Sequence, residues 1–106
     1  MVAHTRGRLV DGSGAPTRGE QVEELVAVGG VVIEQILSGE LDEGIDYDQA
    51  FDEWVVLLAG AAVLEVGGDR LDLEPGDWVF LPQGTPHRLV RTTQGANWLA
   101  VRLPGR

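Results

Sequence analysis

The chain has no cysteine and no lysine. Without cysteine there can be no disulfide framework, zinc–thiolate site or thiol nucleophile. Without lysine, the positive charge rests on scattered arginines, outnumbered by 17 acidic residues for a formal charge of -9. Nucleic-acid surfaces need clustered Lys and Arg. A surface this acidic repels phosphate backbones and anionic lipid, so neither nucleic acid nor membrane is an expected partner. Long apolar runs are also missing. The longest, Trp54 to Leu64, has 11 residues, against the roughly 20 that a bilayer-spanning helix needs. The N-terminus shows no signal-peptide apolar segment. A soluble, cytoplasmic protein is expected.

What is present suits a small β fold. In 106 residues, 43% are apolar and 15 are glycine. That is enough apolar material for one modest core, and too much glycine for a helical bundle. Asp11 to Arg18 has loop composition, and Gln21 to Val28 fits a short helix or an edge strand equally well. Val31 to Leu37 is β-branched and bounded by glycines, so it predicts a strand. Acidic residues from Glu40 to Asp48 with Gly44 predict a loop that is mostly solvated. Strands are then expected at Trp54 to Leu58, Ala61 to Val66, around Leu71 and Leu73, Trp78 to Leu81, His87 to Thr92 and Asn97 to Leu103, with turn chemistry between them. Short strands at such intervals predict a sandwich or barrel. Trp54 to Leu58 is apolar on both faces, so its outer face needs N-terminal segments or a second subunit as cover. A homodimer is expected.

The run Gly76-Asp77-Trp78-Val79-Phe80-Leu81-Pro82-Gln83-Gly84-Thr85-Pro86-His87 resembles the second conserved motif of the cupin superfamily. Gly76, Pro82, Gly84 and His87 are in register, and Arg91 stands where that motif has Asn. In the first cupin motif two histidines precede a Glu and, after six residues, a Gly. Glu53 and Gly60 match the last two. The histidine positions fall on Tyr47 and Gln49, or on Asp46 and Asp48, depending on the spacing. The resemblance covers roughly Val31 to Leu103, and looks like a subgroup of small single-domain cupins that lost both first-motif histidines. It implies an all-β, antiparallel double-stranded β-helix or jelly-roll barrel. The chain 1–106 would be one domain, with 1–30 as N-terminal arm and cover and 31–103 as barrel.

Cupins typically hold a divalent metal with three histidines and a Glu. Only His4 and His87 exist here, so one subunit cannot supply three imidazoles. The candidate metal ligands are His87, Glu53 and Gln49, with Tyr47 or Asp48. Regular strand alternation puts Tyr47, Gln49 and Glu53 on one face, whereas a bulge brings in Asp48. One imidazole with several oxygens could take zinc, manganese, iron or nickel. The plainer alternative pairs Glu53 with His87 internally. Arg91, four residues after His87, is either a cavity cation able to clamp an anion or an outward arginine on a curved strand. Tyr47, Arg91 and Trp98 are the candidate ligand contacts. Trp54, adjacent to Glu53, should face outward.

Two functions follow. One is a module that binds a small organic ligand, a divalent metal, or both, in the barrel mouth. The other is an enzyme of dioxygenase, isomerase or epimerase type, using His87 and Glu53 as metal ligands or as base and acid.

Overall fold

A computed structural model describes residues 3–41 and 43–105. Of the acidic run, Asp42 lies outside the described residues. Nine strands account for the architecture: β1 Glu20–Val28, β2 Val31–Ser38, β3 Ile45–Tyr47, β4 Glu53–Ala59, β5 Ala62–Val66, β6 Asp69–Leu73, β7 Trp78–Leu81, β8 His87–Thr92 and β9 Ala96–Arg102. One 3-10 turn, Gly12–Gly14, precedes them. All pairings are antiparallel. They form a five-stranded sheet, β1-β2-β9-β4-β7, and a four-stranded sheet, β3-β8-β5-β6. The order is that of a jelly roll: sequence neighbours β4 and β5 lie in different sheets, and β9 returns between β2 and β4.

Alternation drives the two sheets together. Val55 and Leu57 of β4, Leu64 of β5, Leu81 of β7, Leu89 of β8 and Trp98 and Ala100 of β9 are buried in one cluster between them. Their parity partners Trp54, Val56, Trp78 and Phe80 face outward, less buried or exposed. The segment that fitted helix and edge strand equally, Gln21 to Val28, is an edge strand. β1 pairs only with β2, and its pattern is exposed except at Glu20 and Leu25. The predicted loop over Glu40 to Asp48 contains a three-residue strand, β3, laid against β8.

The N-terminal arm closes one end of the five-stranded sheet. Gln35 donates to the Val10 carbonyl at 2.7 Å and to Asn97 Oδ1 at 2.8 Å, and Asn97 donates to the same Val10 oxygen at 3.1 Å. The arm also crosses Gly39 so closely that a Cβ there would lie 2.5 Å from the Pro16 carbonyl oxygen. Only glycine permits that approach.

Three bulges change strand parity among the described residues, one of them between β1 and β2 at Glu24/Val26. Between β5 and β8 the register shifts at Val63/Leu64, leaving Val90 as the extra residue. Between β4 and β9 it shifts at Leu57/Ala59. A bulge moves every later side chain to the opposite face.

Candidate functional site: an acidic cavity between the sheets

The second-motif loop delivers His87. Gly84 has φ +75°, a left-handed conformation that favours glycine. Its N–H donates to the Gln49 carbonyl at 2.9 Å, Thr85 N–H to the Pro82 carbonyl at 3.1 Å, and Gln83 N–H to Asp52 Oδ1 at 2.7 Å. The loop before β8 is thereby tied to the segment before β4, which brings Gln49, Glu53 and His87 to one mouth. His87 pairs with Tyr47 across β3 and β8, and the rings stack at 5.4 Å with 15° between planes. His87 Nδ1 lies 3.0 Å from the Thr85 carbonyl. A carbonyl only accepts, so Nδ1 carries the proton and, in the neutral ring, Nε2 bears the lone pair.

A cavity of about 150 Å³ opens here, lined by Tyr47, Gln49, Glu53, His87 and Trp98 with Glu20 and Glu34, over an apolar floor that includes Val55, Leu64 and Leu81. Glu20 is held at its rim by a hydrogen-bond chain. Trp98 Nε1 donates to Ser38 Oγ at 3.0 Å, Ser38 Oγ donates to one Glu20 oxygen at 2.8 Å, and the Tyr47 hydroxyl donates to the other at 2.6 Å. Burial and this bond to Glu20 push the Tyr47 phenol well above its ordinary value, so it stays a donor. Glu34 forms an ion pair with Arg102 at 3.4 Å, and the Arg102 guanidinium also covers the Phe51 ring at 5.1 Å. That ion pair is not a formed hydrogen bond, since Arg102 Nε is buried without one.

Glu53 differs from these. It is only 8% exposed, yet no described residue hydrogen-bonds its carboxyl. Burial first, then the negative charge of Glu34, raise its pKa to about 7 against the opposing pull of Arg102. The site therefore holds one carboxyl poised between protonation states beside an imidazole of fixed tautomer.

Of the sequence-derived candidates, the cavity brings together Tyr47, Gln49, Glu53, His87 and Trp98. It does not include Arg91 or Asp48. Arg91 is exposed: Val90 is the bulged residue, so His87 and Leu89 point inward while Arg91 pairs with Val63 on the opposite parity. The reading of Arg91 as a cavity cation is corrected accordingly. Asp48 lies beyond the end of β3, exposed in an outer groove with Asp46, Glu65 and Arg88. Glu20 and Glu34 are site residues that sequence reasoning missed. Glu34 had a signal, as a lone charge inside the strand Val31 to Leu37 with the same parity as Ile36. Glu20 had none.

The donor set does not match the metal centre that the resemblance implies. Among the described residues, no group of three or more His, Asp and Glu side chains is placed to hold an ion. The reason is chemical. Tyr47 and both oxygens of Glu20 are engaged with each other and with Ser38, Glu34 is paired with Arg102, and Asp48 is outside. His87, Glu53 and Gln49 remain, and as arranged they do not make the family's three-histidine centre.

Comparison with known proteins agrees with the architecture. A protein family described as the Cupin domain matches residues 32–102. A candidate mannose-6-phosphate isomerase of Ralstonia eutropha JMP134 superposes with TM-score 0.80 and 32% identity, over 96% of this chain and 100% of that one. A cupin superfamily protein of Desulfitobacterium hafniense DCB-2 gives TM-score 0.70 at 20% identity over 94% of each chain. KdgF from a Halomonas species gives 0.69 at 21% identity, over 83% of this chain and 81% of that one. No curated protein matches the sequence. No helix is long and apolar enough to cross a membrane among the described residues. With the jelly-roll topology, the second-motif loop and these matches in hand, the chain belongs to the cupin superfamily.

Proposed function

We propose that this cupin is a cytoplasmic small-molecule-binding protein, whose ligand enters the cavity between the sheets and is held by Glu53, His87, Gln49 and Tyr47 over an apolar floor. The observation that carries this reading is Glu53, nine-tenths buried, facing a cavity and left without a hydrogen-bond donor among the described residues. No donor of a described residue competes for that carboxyl, so a ligand's donor entering the cavity can pair with it. The cavity supports one ring or a short chain. A void of similar volume elsewhere accommodates benzene. The test is a thermal-shift screen with a metabolite library. A ligand at about 100 times its Kd should stabilise the fold by about 2.7 kcal/mol. If no compound shifts Tm, the reading fails.

A second reading, proton-transfer catalysis of isomerase or epimerase type, is favoured by one observation, the Glu53 pKa of about 7 beside the Nε2 lone pair of His87. The Ralstonia relative is named for isomerising a phosphorylated sugar. Here no arginine among the described residues lines the cavity and the chain has no lysine, so a phosphate would find no cation in it. Once a substrate is found, Glu53→Gln and His87→Ala should each abolish turnover. Turnover retained in both variants removes this reading.

The proposed partner is a second copy of the chain, seated on the outer face of the five-stranded sheet. Trp54 stands opposite Phe80 and Val101 there, and Val56 opposite Trp78 and Leu99. Trp78 is 62% and Phe80 45% exposed. The N-terminal arm's clamp reaches Gln35 and Asn97 on β2 and β9. An apolar, uncharged patch of this kind is self-complementary about a two-fold axis.

A further inference from the structure

The sign of charge in the cavity narrows the ligand class. Three carboxylates from three strands meet there: Glu20 of β1, Glu34 of β2 and Glu53 of β4. Among the described residues no arginine lines the cavity; Arg102, paired with Glu34 and opposite Glu53 in the β4–β9 register, is not part of the lining. An acidic cluster alone would mean little. Here one member, Glu53, is 8% exposed, accepts no hydrogen bond from any described residue and faces the cavity. The three are not equivalent: Glu20 already accepts from Ser38 and Tyr47 and Glu34 is paired, so unmet acceptor capacity is concentrated at Glu53 and at His87 Nε2. Both are acceptors, and a ligand must bring donors to them.

The rest of the lining is apolar or aromatic. Ile36, Val55, Leu64, Leu81 and Leu89 form the floor, and the Trp98 indole faces the same space. Such a lining suits a hydrocarbon body, and aromatic rings also favour an adjacent cation. A bare hydrated metal ion would leave this apolar surface unsatisfied.

We propose that the cavity selects a small organic cation, an ammonium group carried on an apolar body about the size of a benzene ring, with the ammonium donating to Glu53 and His87. The inference rests on the ligand-binding reading above and adds the charge of the ligand. Charge-assisted hydrogen bonds from an ammonium to a carboxylate are about twice as strong as neutral ones. At pH 8, where Glu53 is mainly ionised, a carboxylate or phosphate ligand would instead meet like charge and, among the described lining residues, find no free donor except the Gln49 amide.

The test compares three probes of one shape, benzylamine, benzyl alcohol and benzoate, by calorimetric titration of the full chain at pH 8. Benzylammonium should bind about tenfold or more tighter than the alcohol, and benzoate more weakly than both. Glu53→Gln should erase the advantage of the amine over the alcohol. A ligand-free melting curve of that variant reports whether it folds, and the wild-type ranking stands without it. Benzoate binding as well as or better than benzylamine overturns the inference. So does displacement of benzylamine by manganese or zinc chloride at equal concentration. Should neutral or anionic metabolites from the library raise Tm while the amine does not bind, the charge inference falls and the ligand-binding reading survives. Should neither the library nor the probes bind, both fall.

Discussion

Glu53 sets the most specific expectation at the scale of single residues. Its folded pKa, about 7, lies above the ordinary 4.5. Between those two values the unfolded chain has lost the proton while the folded chain keeps it. The native state therefore binds more protons, and stability falls as pH rises through that window. Below pH 4.5 this contribution is fully present, and above pH 7 it is gone. Such a shift corresponds to about 3 kcal/mol. Urea denaturation at pH 4.5 and pH 8 should reveal the loss, superimposed on the other carboxylates. Glu53→Gln should remove this component and be the more stable form at pH 8. Equal pH slopes for the two proteins would refute the assignment. Ser38 sets a second expectation. Ser38→Ala takes the acceptor from the buried Trp98 N–H and a donor from Glu20, which should cost about 1–3 kcal/mol for each group left unpaired. Arg91→Ala, at an exposed position outside the cavity, should stay within about 0.5 kcal/mol and leave ligand affinity unchanged.

Elements show what was legible in the residues and what was not. From β4 onward, glycine and proline punctuation and two-residue alternation located every strand to within a residue or two. The Gly76 to His87 run placed the turn that carries His87. β1 was ambiguous because Val22, Leu25 and Val26 also satisfy helical spacing, and pairing with β2 decided the matter. β3 was invisible because three residues inside an acidic run carry no periodicity; it forms because Ile45 and Tyr47 can pair with Leu89 and His87. Arg91 stayed undecided between cavity and outer surface because alternation extended through β8 points it inward, and the bulge that turns it outward leaves no mark in composition. The carboxylates of the site were half legible. Glu53 came from the family motif, whereas Glu20 and Glu34 reach the cavity only because β1 and β2 extend the same sheet. At this scale Gly39→Ala should be costly, because the new Cβ would collide with backbone of the N-terminal arm at Pro16 and Thr17. Overpacking of this kind costs about 1–3 kcal/mol. Chemical denaturation measures it, and a cost near zero would mean that the arm does not lie across β2.

The whole molecule is an acidic sandwich with an apolar outer wall and an acidic interior pocket. The wall predicts self-association. Light scattering should give twice the mass of the 11.4 kDa chain. Trp78→Glu, which puts a charge on each copy at the centre of the patch, should give the monomer while ligand binding persists. A wild-type monomer at high concentration would contradict the proposed partner. For the pocket, the decisive observable is where a ligand is felt. With a stabilising ligand titrated into isotope-labelled protein, the Glu53 carboxyl carbon and the His87 Nε2 resonance should shift together and saturate at one stoichiometry. Shifts confined to Arg88 in the outer groove or to Trp78 on the wall, with both of those resonances unmoved, would contradict the account.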